Sequence, residues 1–202
     1  NIIGKIAAGI CDDMLTTTVF ATKVPVLLAP AMNTAMWENP VLQDNLQKLR
    51  RYGYRIIQPA TGRLACGDTG SGKMPSEDIL MQHILLNLAS NKDMAGRRIL
   101  VTAGPTCEDI DPVRYITNRA SGKMGDAVAK MAVMRGAEVT LASGPVGVEP
   151  FTNISVVPVR SAAEMFRAVT AVAPEHDIIV MCSAVADYTP VSCAAHKLKK
   201  SD

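Results

Sequence analysis

The sequence predicts an α/β protein with two domains, each built on a doubly wound parallel sheet. Short apolar runs such as Val24–Ala29 and Ile99–Ala103 end at a proline or a glycine, as buried parallel strands do. Amphipathic segments alternate with these runs, and that alternation favours parallel strands joined by right-handed crossovers. A polar joint at Ala89–Gly96 interrupts the rhythm, which then restarts. We therefore expect one domain over residues 1–92 and a second over residues 93–202, both incomplete.

The first half of the chain shows helical spacing, apolar runs and capping residues in alternation. These patterns predict a helix over Ile2–Ala21, a strand over Val24–Ala29, a helix from Asn39-Pro40 to Gly53, a strand over Tyr54–Ile57 and a helix from Ser76 to Leu88. The glycine-rich stretch Pro59–Pro75 fits no regular element. A flap over a pocket and a plain surface connection are both compatible with it.

The second half repeats the alternation more regularly. It predicts strands over Ile99–Ala103, Glu138–Ala142, Ile154–Pro158 and Ile178–Ser183, with helices near Gly122–Arg135 and from Ser161 to Val172. Ser161 and Glu164 form a capping-box pattern at the start of the last helix. Ile178–Ser183 is expected to be buried.

Composition excludes several classes of protein. The chain has 202 residues, 48% hydrophobic and 20% charged, and a net charge of +2 with scattered basic residues, so a nucleic-acid surface is not expected. The apolar runs are too short to cross a bilayer, and a membrane partner is not expected either. Five cysteines without a CxxC pair favour reduced thiols and a cytoplasmic protein. Small anions are the expected partners.

The stretch Ile99–Gly125 reads as a strand, a long polar loop and the start of a helix. Its loop mixes cations and amides that suit phosphate with carboxylates that suit a metal: Arg114, Asn118, Arg119, Ser121 and Lys123 among Glu108, Asp109 and Asp111. In α/β sheets, the crevice beyond the carboxyl ends of the strands is where anions bind. The alternative is an ordinary solvated loop.

Two nucleotide-binding motifs are absent. Gly67–Met74 fits GxxxxGK, but Met74 replaces the serine or threonine that holds magnesium in a P-loop, and no apolar strand precedes it. The turn after Ala103 is GPTCED instead of GxGxxG. A nicotinamide-dependent Rossmann oxidoreductase therefore remains an alternative that rests on fold alone.

Other candidates lie outside this stretch. Cys66 sits among glycines, where a thiol can reach a substrate as acid or nucleophile. Asn33 follows a strand and suits an amide or carboxylate substrate, or simply caps the loop. Met32 and Met36 suit an aromatic cofactor, although core packing is the plainer reading. Lys197 lies in a basic cluster that suits a bound phosphate, or is part of a solvated tail.

Several motifs in order resemble those of the bifunctional phosphopantothenoylcysteine decarboxylase/phosphopantothenate–cysteine ligases of coenzyme A biosynthesis. PAMNTAMW (Pro30–Trp37) is similar to the PxMNxxMW motif of flavin-containing cysteine decarboxylases, and LACGDTGSGKM (Leu64–Met74) resembles their substrate-recognition clamp. TAGPT, IDPVRYITNRASGKMG, AVADY and KLKK resemble the ligase half. The resemblance implies two Rossmann-like domains and a chain that spans their junction.

For the first domain, the resemblance implies FMN-dependent decarboxylation of 4′-phosphopantothenoylcysteine to 4′-phosphopantetheine. It implies that Asn33 binds substrate and that Cys66 is the proton donor. Asn1 would end an upstream flavin motif, and Met32 and Met36 would lie at the cofactor. The family histidine would precede Asn1, so this segment alone is not expected to decarboxylate.

For the second domain, the resemblance implies ligation of 4′-phosphopantothenate with cysteine through an acyl-cytidylate made from CTP, with Mg²⁺ on the triphosphate. Asn118 and Lys197 would be catalytic, and Arg114 would support the loop or the substrate. Gly104, Ala186 and Asp187 would lie near the nucleotide. The protein ligands of the metal are left open.

The resemblance also implies a homo-oligomer, with trimers of decarboxylase domains and dimers of ligase domains. A non-catalytic nucleotide-binding or oligomerisation module remains a second alternative.

Overall fold

The computed structural model describes residues 2–64, 67–89 and 91–199. The chain divides into two compact units, unit 1 over Asn1–Leu88 and unit 2 over Ala89–Asp202. Each unit contains a parallel sheet and a separate antiparallel strand pair, with helices between the strands. The predicted α/β class is therefore confirmed.

Unit 1 consists of short strands and helices around a small parallel sheet. Its described elements are α1 (Ile2–Ala8), α2 (Met14–Ala21), β1 (Leu27–Leu28), α3 (Thr34–Trp37), α4 (Pro40–Arg51), β2 (Arg55–Ile56), β3 (Ala60–Arg63), β4 (Thr69–Lys73) and α5 (Glu77–Leu88). β1 pairs with β2 in parallel, and β3 pairs with β4 in antiparallel. Asn39 caps α4 with Pro40 as the first helical residue, as predicted.

The core of unit 1 forms between α1 and α4. Leu42, Leu46 and Leu49 lie one helical turn apart and are buried against Ile3 and Ile6. The single tryptophan, Trp37, packs partly buried against the same cluster.

The predicted helix over Ile2–Ala21 is wrong, because the chain forms two helices there. Gly9 adopts a left-handed φ of 72°, which ends α1. Asp13 then starts α2, since its carboxylate accepts the N–H of Thr16 at 2.7 Å. The apolar periodicity continues across the break and conceals it.

The stretch Pro59–Pro75 is also more regular than predicted, because β3 and β4 form a hairpin within it. Its glycines allow the hairpin to approach the loop after β1. A Cβ at Gly72, where φ is 129°, would lie 2.1 Å from the carbonyl oxygen of Met32, and the N–H of Met32 donates to the Gly72 oxygen at 2.9 Å. Glycine at this position therefore allows the hairpin backbone to lie close to the loop after β1.

Unit 2 has longer strands. Its described elements are β5 (Arg98–Ala103), β6 (Cys107–Asp109), β7 (Tyr115–Thr117), α6 (Lys123–Met134), β8 (Glu138–Ser143), β9 (Ile154–Pro158), α7 (Ala162–Val172), a 3₁₀ helix (Ala173–Glu175) and β10 (Ile178–Met181). The predicted helices and sheet strands of this half are confirmed to within a few residues. The long loop after β5 differs from the prediction, because β6 and β7 pair as a hairpin within it.

The four described strands of the unit 2 sheet run parallel in the order β10-β5-β8-β9. The chain moves outward from β5 through β8 to β9, then crosses back to place β10 on the other side of β5. The strand order therefore reverses between β5 and β10. In open α/β sheets this reversal opens a crevice at the carboxyl ends of the two strands, where ligands bind.

Helices cover both faces of this sheet. On one face, Gly125 of α6 approaches the Cβ of Ala103. On the other face, Met165 of α7 packs on Ala142, which pairs with Thr102 and so points opposite to Ala103. Unit 2 is therefore doubly wound, as predicted. The expected burial of Ile178–Ser183 is wrong in part, because Ile178 and Met181 of β10 are exposed.

Leu46 tests the core of unit 1. It has no exposed surface, so Leu46→Ala should leave a cavity and lower the free energy of unfolding by about 2–5 kcal/mol. Urea unfolding followed by the fluorescence of Trp37 measures this directly, since Trp37 packs on the same cluster. The control Val41→Ala alters an exposed residue of the same helix and should stay within about 0.5 kcal/mol. Equal losses in both variants would contradict the assigned core.

Candidate functional site

The crevice of unit 2 is closed at its base by backbone contacts between the ends of β5 and β10. The N–H of Ala184 donates to the carbonyl of Gly104 at 2.9 Å, and the N–H of Thr106 donates to the carbonyl of Ala184 at 3.2 Å. Pro105 and Ala184 form a parallel bridge. These contacts continue the pairing of the two strands into the turns that follow them.

Two fully buried threonine hydroxyls fix the turn after β10. The Oγ1 of Thr102 accepts the N–H groups of Cys182 and Ser183 at 3.0 and 3.1 Å. The Oγ1 of Thr106 accepts the N–H of Ala186 at 2.9 Å. Buried N–H groups need acceptors, and here side chains supply them where the β ladder has ended.

Asn118 joins the same turn from the opposite side. Its Nδ2 donates to the carbonyl oxygens of Ala184 and Val185 at 3.2 and 3.0 Å. Because both partners are acceptors, the amide must present its NH₂ group to them. The remaining oxygen, Oδ1, accepts no hydrogen bond from the described residues and is available to a ligand donor.

The three carboxylates of the hairpin each accept N–H donors. Glu108 accepts the N–H of Ala162 at the start of α7 at 2.7 Å, and Asp109 pairs with Arg160 at 2.6 Å. Asp111 pairs with Arg114 at 2.5 Å. Throughout residues 2–64, 67–89 and 91–199, no cluster of three or more histidine, cysteine or acidic side chains is arranged to hold a metal ion. These carboxylates are engaged by N–H donors of the protein, and the protein ligands of a metal stay open.

Asp111 is the most strongly bound of these groups. The hydrogen bonds from the Arg114 guanidinium hold the pKa of the Asp111 carboxyl well below its usual range. Burial acts in the opposite direction and raises this pKa, while the backbone N–H groups of Val113 and Leu198 lower it further. The carboxylate therefore remains ionised through the pH range in which the protein would be assayed.

The structure brings most of the predicted unit 2 residues to one edge of the sheet. Gly104 and Ala186 line the joined turns, and Asn118 contacts them. The segment that carries Lys197 returns to this edge, since Leu198 hydrogen-bonds to Asp111 and Arg114. The side chains of Asp187 and Lys197 are exposed.

Unit 1 has an apolar cleft at the carboxyl end of β1. The cleft has a volume of about 430 Å³ and is lined in part by Leu28, Met32, Met36 and Met74. A second cleft of about 480 Å³ is lined by Met32 and Met74 together with Asn33, Arg63 and Lys73. Both volumes are in the range of small-molecule sites.

Asn33 has a structural duty in this cleft. Its Oδ1 accepts the N–H of Ala35 at 2.8 Å and so caps α3. The loop-capping alternative is thus realised, and Asn33 also lines the second cleft. Of the other predicted residues of this half, Cys66 and Asn1 lie outside the described residues.

Sequence patterns missed Thr102, Thr106 and the role of Asp111. The threonines lie within or next to an apolar run, where they read as strand residues of ordinary β propensity. Asp111 carried a usable signal, because an aspartate followed by proline, with an arginine three positions on, is a turn pattern. Its Oδ1 does accept the N–H groups of Val113 and Arg114 at 2.8 and 2.9 Å.

A search of the described helices finds none that is long and apolar enough to span a bilayer.

Family models match both halves of the chain. Residues 94–202 match the DNA/pantothenate metabolism flavoprotein C-terminal domain, and residues 1–89 match a model described as Flavoprotein.

Several bacterial proteins with the description coenzyme A biosynthesis bifunctional protein CoaBC are similar over the length of the chain. The one from Vibrio cholerae is 48% identical over 201 residues, which cover 100% of this chain and 50% of that protein. The Bacillus subtilis protein is 44% identical over 205 residues, covering 100% of this chain and 50% of its own length. The chain thus spans about half the length of these relatives.

Two solved structures resemble parts of the chain. A crystal structure of the C-terminal domain of coenzyme A biosynthesis bifunctional protein CoaBC is 50% identical, covers 48% of this chain and 50% of its own, and gives a TM-score of 0.47. A PPC decarboxylase mutant complexed with pantothenoylaminoethenethiol is 40% identical, covers 44% of this chain and 50% of its own, and gives a TM-score of 0.42.

Thr106 tests how the turn after β10 is held. Thr106→Val keeps the shape of the side chain but removes the acceptor of the Ala186 N–H. The unpaired N–H should lower the stability of the turn by about 1–3 kcal/mol. Hydrogen exchange of the Ala186 amide should accelerate by roughly tenfold or more. Thr106→Ser restores the hydroxyl and should restore protection. Unchanged exchange in the valine variant would show that the hydroxyl does not hold this turn.

Proposed function

Because this chain belongs, through residues 94–202, to the DNA/pantothenate metabolism flavoprotein C-terminal domain family, we propose that it acts in coenzyme A biosynthesis and spans the junction of two enzymes. In this proposal, unit 1 is part of an FMN-dependent phosphopantothenoylcysteine decarboxylase. Unit 2 is part of a CTP-dependent phosphopantothenate–cysteine ligase. The description of the similar Vibrio cholerae protein, a bifunctional protein of coenzyme A biosynthesis, supports both assignments.

The observation that carries the ligase assignment is the placement of Asn118 at the strand-order reversal of unit 2. Its amide spans the turn after β10, beside Gly104 and Ala186, and keeps an unoccupied acceptor oxygen. This is a crevice in which an α/β sheet receives a nucleotide. Two hydrogen bonds hold the β6-β7 hairpin next to Asn118 in place. The Thr117 hydroxyl donates to the carbonyl of Thr106, and Glu108 accepts the N–H of Ala162.

The proposed ligation has two steps. A carboxylate oxygen of 4′-phosphopantothenate attacks the α-phosphorus of CTP, and pyrophosphate leaves to give an acyl-cytidylate. The amine of cysteine then attacks the acyl carbon, loses a proton, and CMP leaves with the electron pair of the broken bond. Negative charge grows on phosphoryl and carboxyl oxygens in these steps, so a fixed cation and fixed donors stabilise the transition states.

The residues of unit 2 divide these tasks. Asn118 Oδ1 would accept a hydrogen bond from the cysteine amine and orient it, because its Nδ2 is anchored. Lys197 would neutralise charge on the phosphoryl or carboxyl group. Gly104, Ala186 and Asp187 would lie near the nucleotide. Mg²⁺ would bind the triphosphate of CTP.

The cleft of unit 1 fits the ring system of FMN. Its methionine and aliphatic walls suit a flat apolar surface, and its volume of about 430 Å³ is adequate for such a group. When bound, FMN would accept and return the electron pair that decarboxylation of the cysteine end requires. Met32 and Met36 would contact the ring, and Asn1 would lie at the end of the preceding flavin segment.

The second cleft of unit 1 suits a phosphorylated amide substrate. Asn33 lines it with an amide NH₂ group, and Arg63 and Lys73 add positive charge. Cys66, which lies between β3 and β4 in the sequence, would donate the proton that completes 4′-phosphopantetheine. A thiol on a hairpin that closes on the cleft would also exclude water from the reaction.

Asn118→Asp tests the ligase assignment. A carboxylate cannot donate to the carbonyls of Ala184 and Val185, so in the longer protein that carries this chain the repulsion should reduce ligation at least tenfold while decarboxylation continues. Formation of 4′-phosphopantothenoylcysteine from CTP, cysteine and 4′-phosphopantothenate is the measurement. The control Asn91→Asp changes an exposed asparagine of the same unit and should retain activity. Full ligation by the Asn118 variant would contradict the assignment.

Cys66→Ser tests the decarboxylase assignment in the protein that carries this chain. A hydroxyl is a much weaker acid than a thiol, so 4′-phosphopantetheine formation should fall at least a hundredfold while ligation is retained.

Separate titrations with FMN, CTP and NADH address the oxidoreductase alternative. Binding of NADH in preference to FMN and CTP would reject the proposed function.

A further inference from the structure

The Asp111 carboxylate lies at the centre of a dense set of hydrogen bonds. Its Oδ1 accepts the N–H groups of Val113 and Arg114, and its Oδ2 accepts the Nε and Nη2 groups of Arg114 at 3.0 and 2.5 Å. The side chain of Asp111 is fully buried, whereas half of the Arg114 side chain is exposed. A buried carboxylate with this many donors is fixed in position.

The same pair reaches a segment more than eighty positions further along the chain. The N–H of Leu198 donates to Asp111 Oδ2 at 3.1 Å, and the carbonyl of Leu198 accepts from Arg114 Nη2 at 2.8 Å. The Asp111–Arg114 ion pair thereby holds both the backbone N–H and the backbone carbonyl of Leu198. The N–H of Ala194 also donates to the carbonyl of Ile110 at 2.9 Å, which places a second anchor at the start of the segment.

Residues 194–199 form no helix or strand of their own in the described structure. Their position at the sheet edge therefore depends on these side-chain and backbone contacts with the loop between β6 and β7. Lys197 immediately precedes the clamped Leu198. Its own side chain is exposed and makes no described hydrogen bond or ion pair that would place it.

We propose that Asp111 and Arg114 are positioning residues that clamp the peptide groups of Leu198 and thereby place Lys197 at the ligase site. The inference rests on the proposed function for the role of Lys197, but the clamp itself is independent of that role. Arg114 thus acts through the segment that it holds. Asp111, which contacts no expected substrate group, becomes necessary for the reaction.

Asp111→Asn tests the clamp. An asparagine side chain has a single acceptor oxygen, because its NH₂ group can only donate. It therefore cannot accept all the hydrogen bonds that the carboxylate accepts, and the Leu198 N–H and Arg114 lose partners. We expect hydrogen exchange at Leu198 to accelerate at least tenfold and ligation to fall at least tenfold, mainly in kcat. Arg114→Lys, which keeps the charge but loses the planar contacts, should show the same changes to a smaller degree and serves if the first variant fails to fold.

Asp109→Asn is the matched control. Asp109 also lies on the hairpin and also pairs with an arginine, Arg160, but neither residue forms a hydrogen bond or ion pair with the described residues 194–199. This variant should leave the exchange of Leu198 and the rate of ligation within about threefold of the parent. A loss equal to that of Asp111→Asn would mean that general loosening of the hairpin is responsible, and would overturn the proposal.

A double-mutant cycle with Lys197→Ala decides whether Asp111 acts through the lysine. If it does, Asp111→Asn should reduce ligation little further once Lys197 is removed. Additive losses would overturn the positioning role.

The two proposals fail in different ways. If Lys197→Ala ligates normally while Leu198 still exchanges faster in Asp111→Asn, the catalytic role of Lys197 is rejected and the clamp stands. If Lys197→Ala abolishes ligation while Leu198 stays protected in Asp111→Asn, the clamp is rejected and the ligase assignment stands.

Discussion

The reversal of strand order at β5 is the constraint on which the rest of unit 2 depends. Because β8 and β10 flank β5 on opposite sides, the turns that follow β5 and β10 emerge side by side with unpaired backbone groups. The chain satisfies these groups with the contacts of Gly104 and Thr106 to Ala184 and with two buried threonine hydroxyls. The two turns are therefore joined at the base of the crevice, and Asn118 hydrogen-bonds to the turn after β10.

The hairpin β6-β7 extends this base. Glu108 accepts the N–H at the start of α7, Asp109 pairs with Arg160, and Asp111 holds Arg114 and Leu198. One short hairpin therefore links elements that are distant in sequence. Negative charge at a helix N-terminus and in ion pairs stabilises this arrangement. These carboxylates, which suit a metal ion by their residue type, instead form hydrogen bonds and ion pairs that hold the loop in place. These carboxylates are therefore already engaged by donors of the protein itself.

The sequence predicts the regular part of this fold well, because strands and helices of unit 2 have clear apolar periods and capping residues. Ser161, for example, accepts the Glu164 N–H and starts α7 where predicted. Prediction fails where backbone geometry overrides periodicity. Gly9 breaks a helix within a continuous apolar pattern, and the β3-β4 hairpin contains three glycines, which are rare in strands and hide it from a propensity-based prediction.

The candidate site divides in the same way. Asn118 and Lys197 are candidates because the motifs that contain them resemble those of the ligase family, and their catalytic roles stay predictions. Thr106 has no such signal, and the turn pattern at Asp111 does not reveal its contact with Leu198, since the partners of both residues lie eighty or more positions away. Such partners become visible only when β10 is placed beside β5. Residues that act through such distant partners are therefore the part of the candidate site that requires a structure.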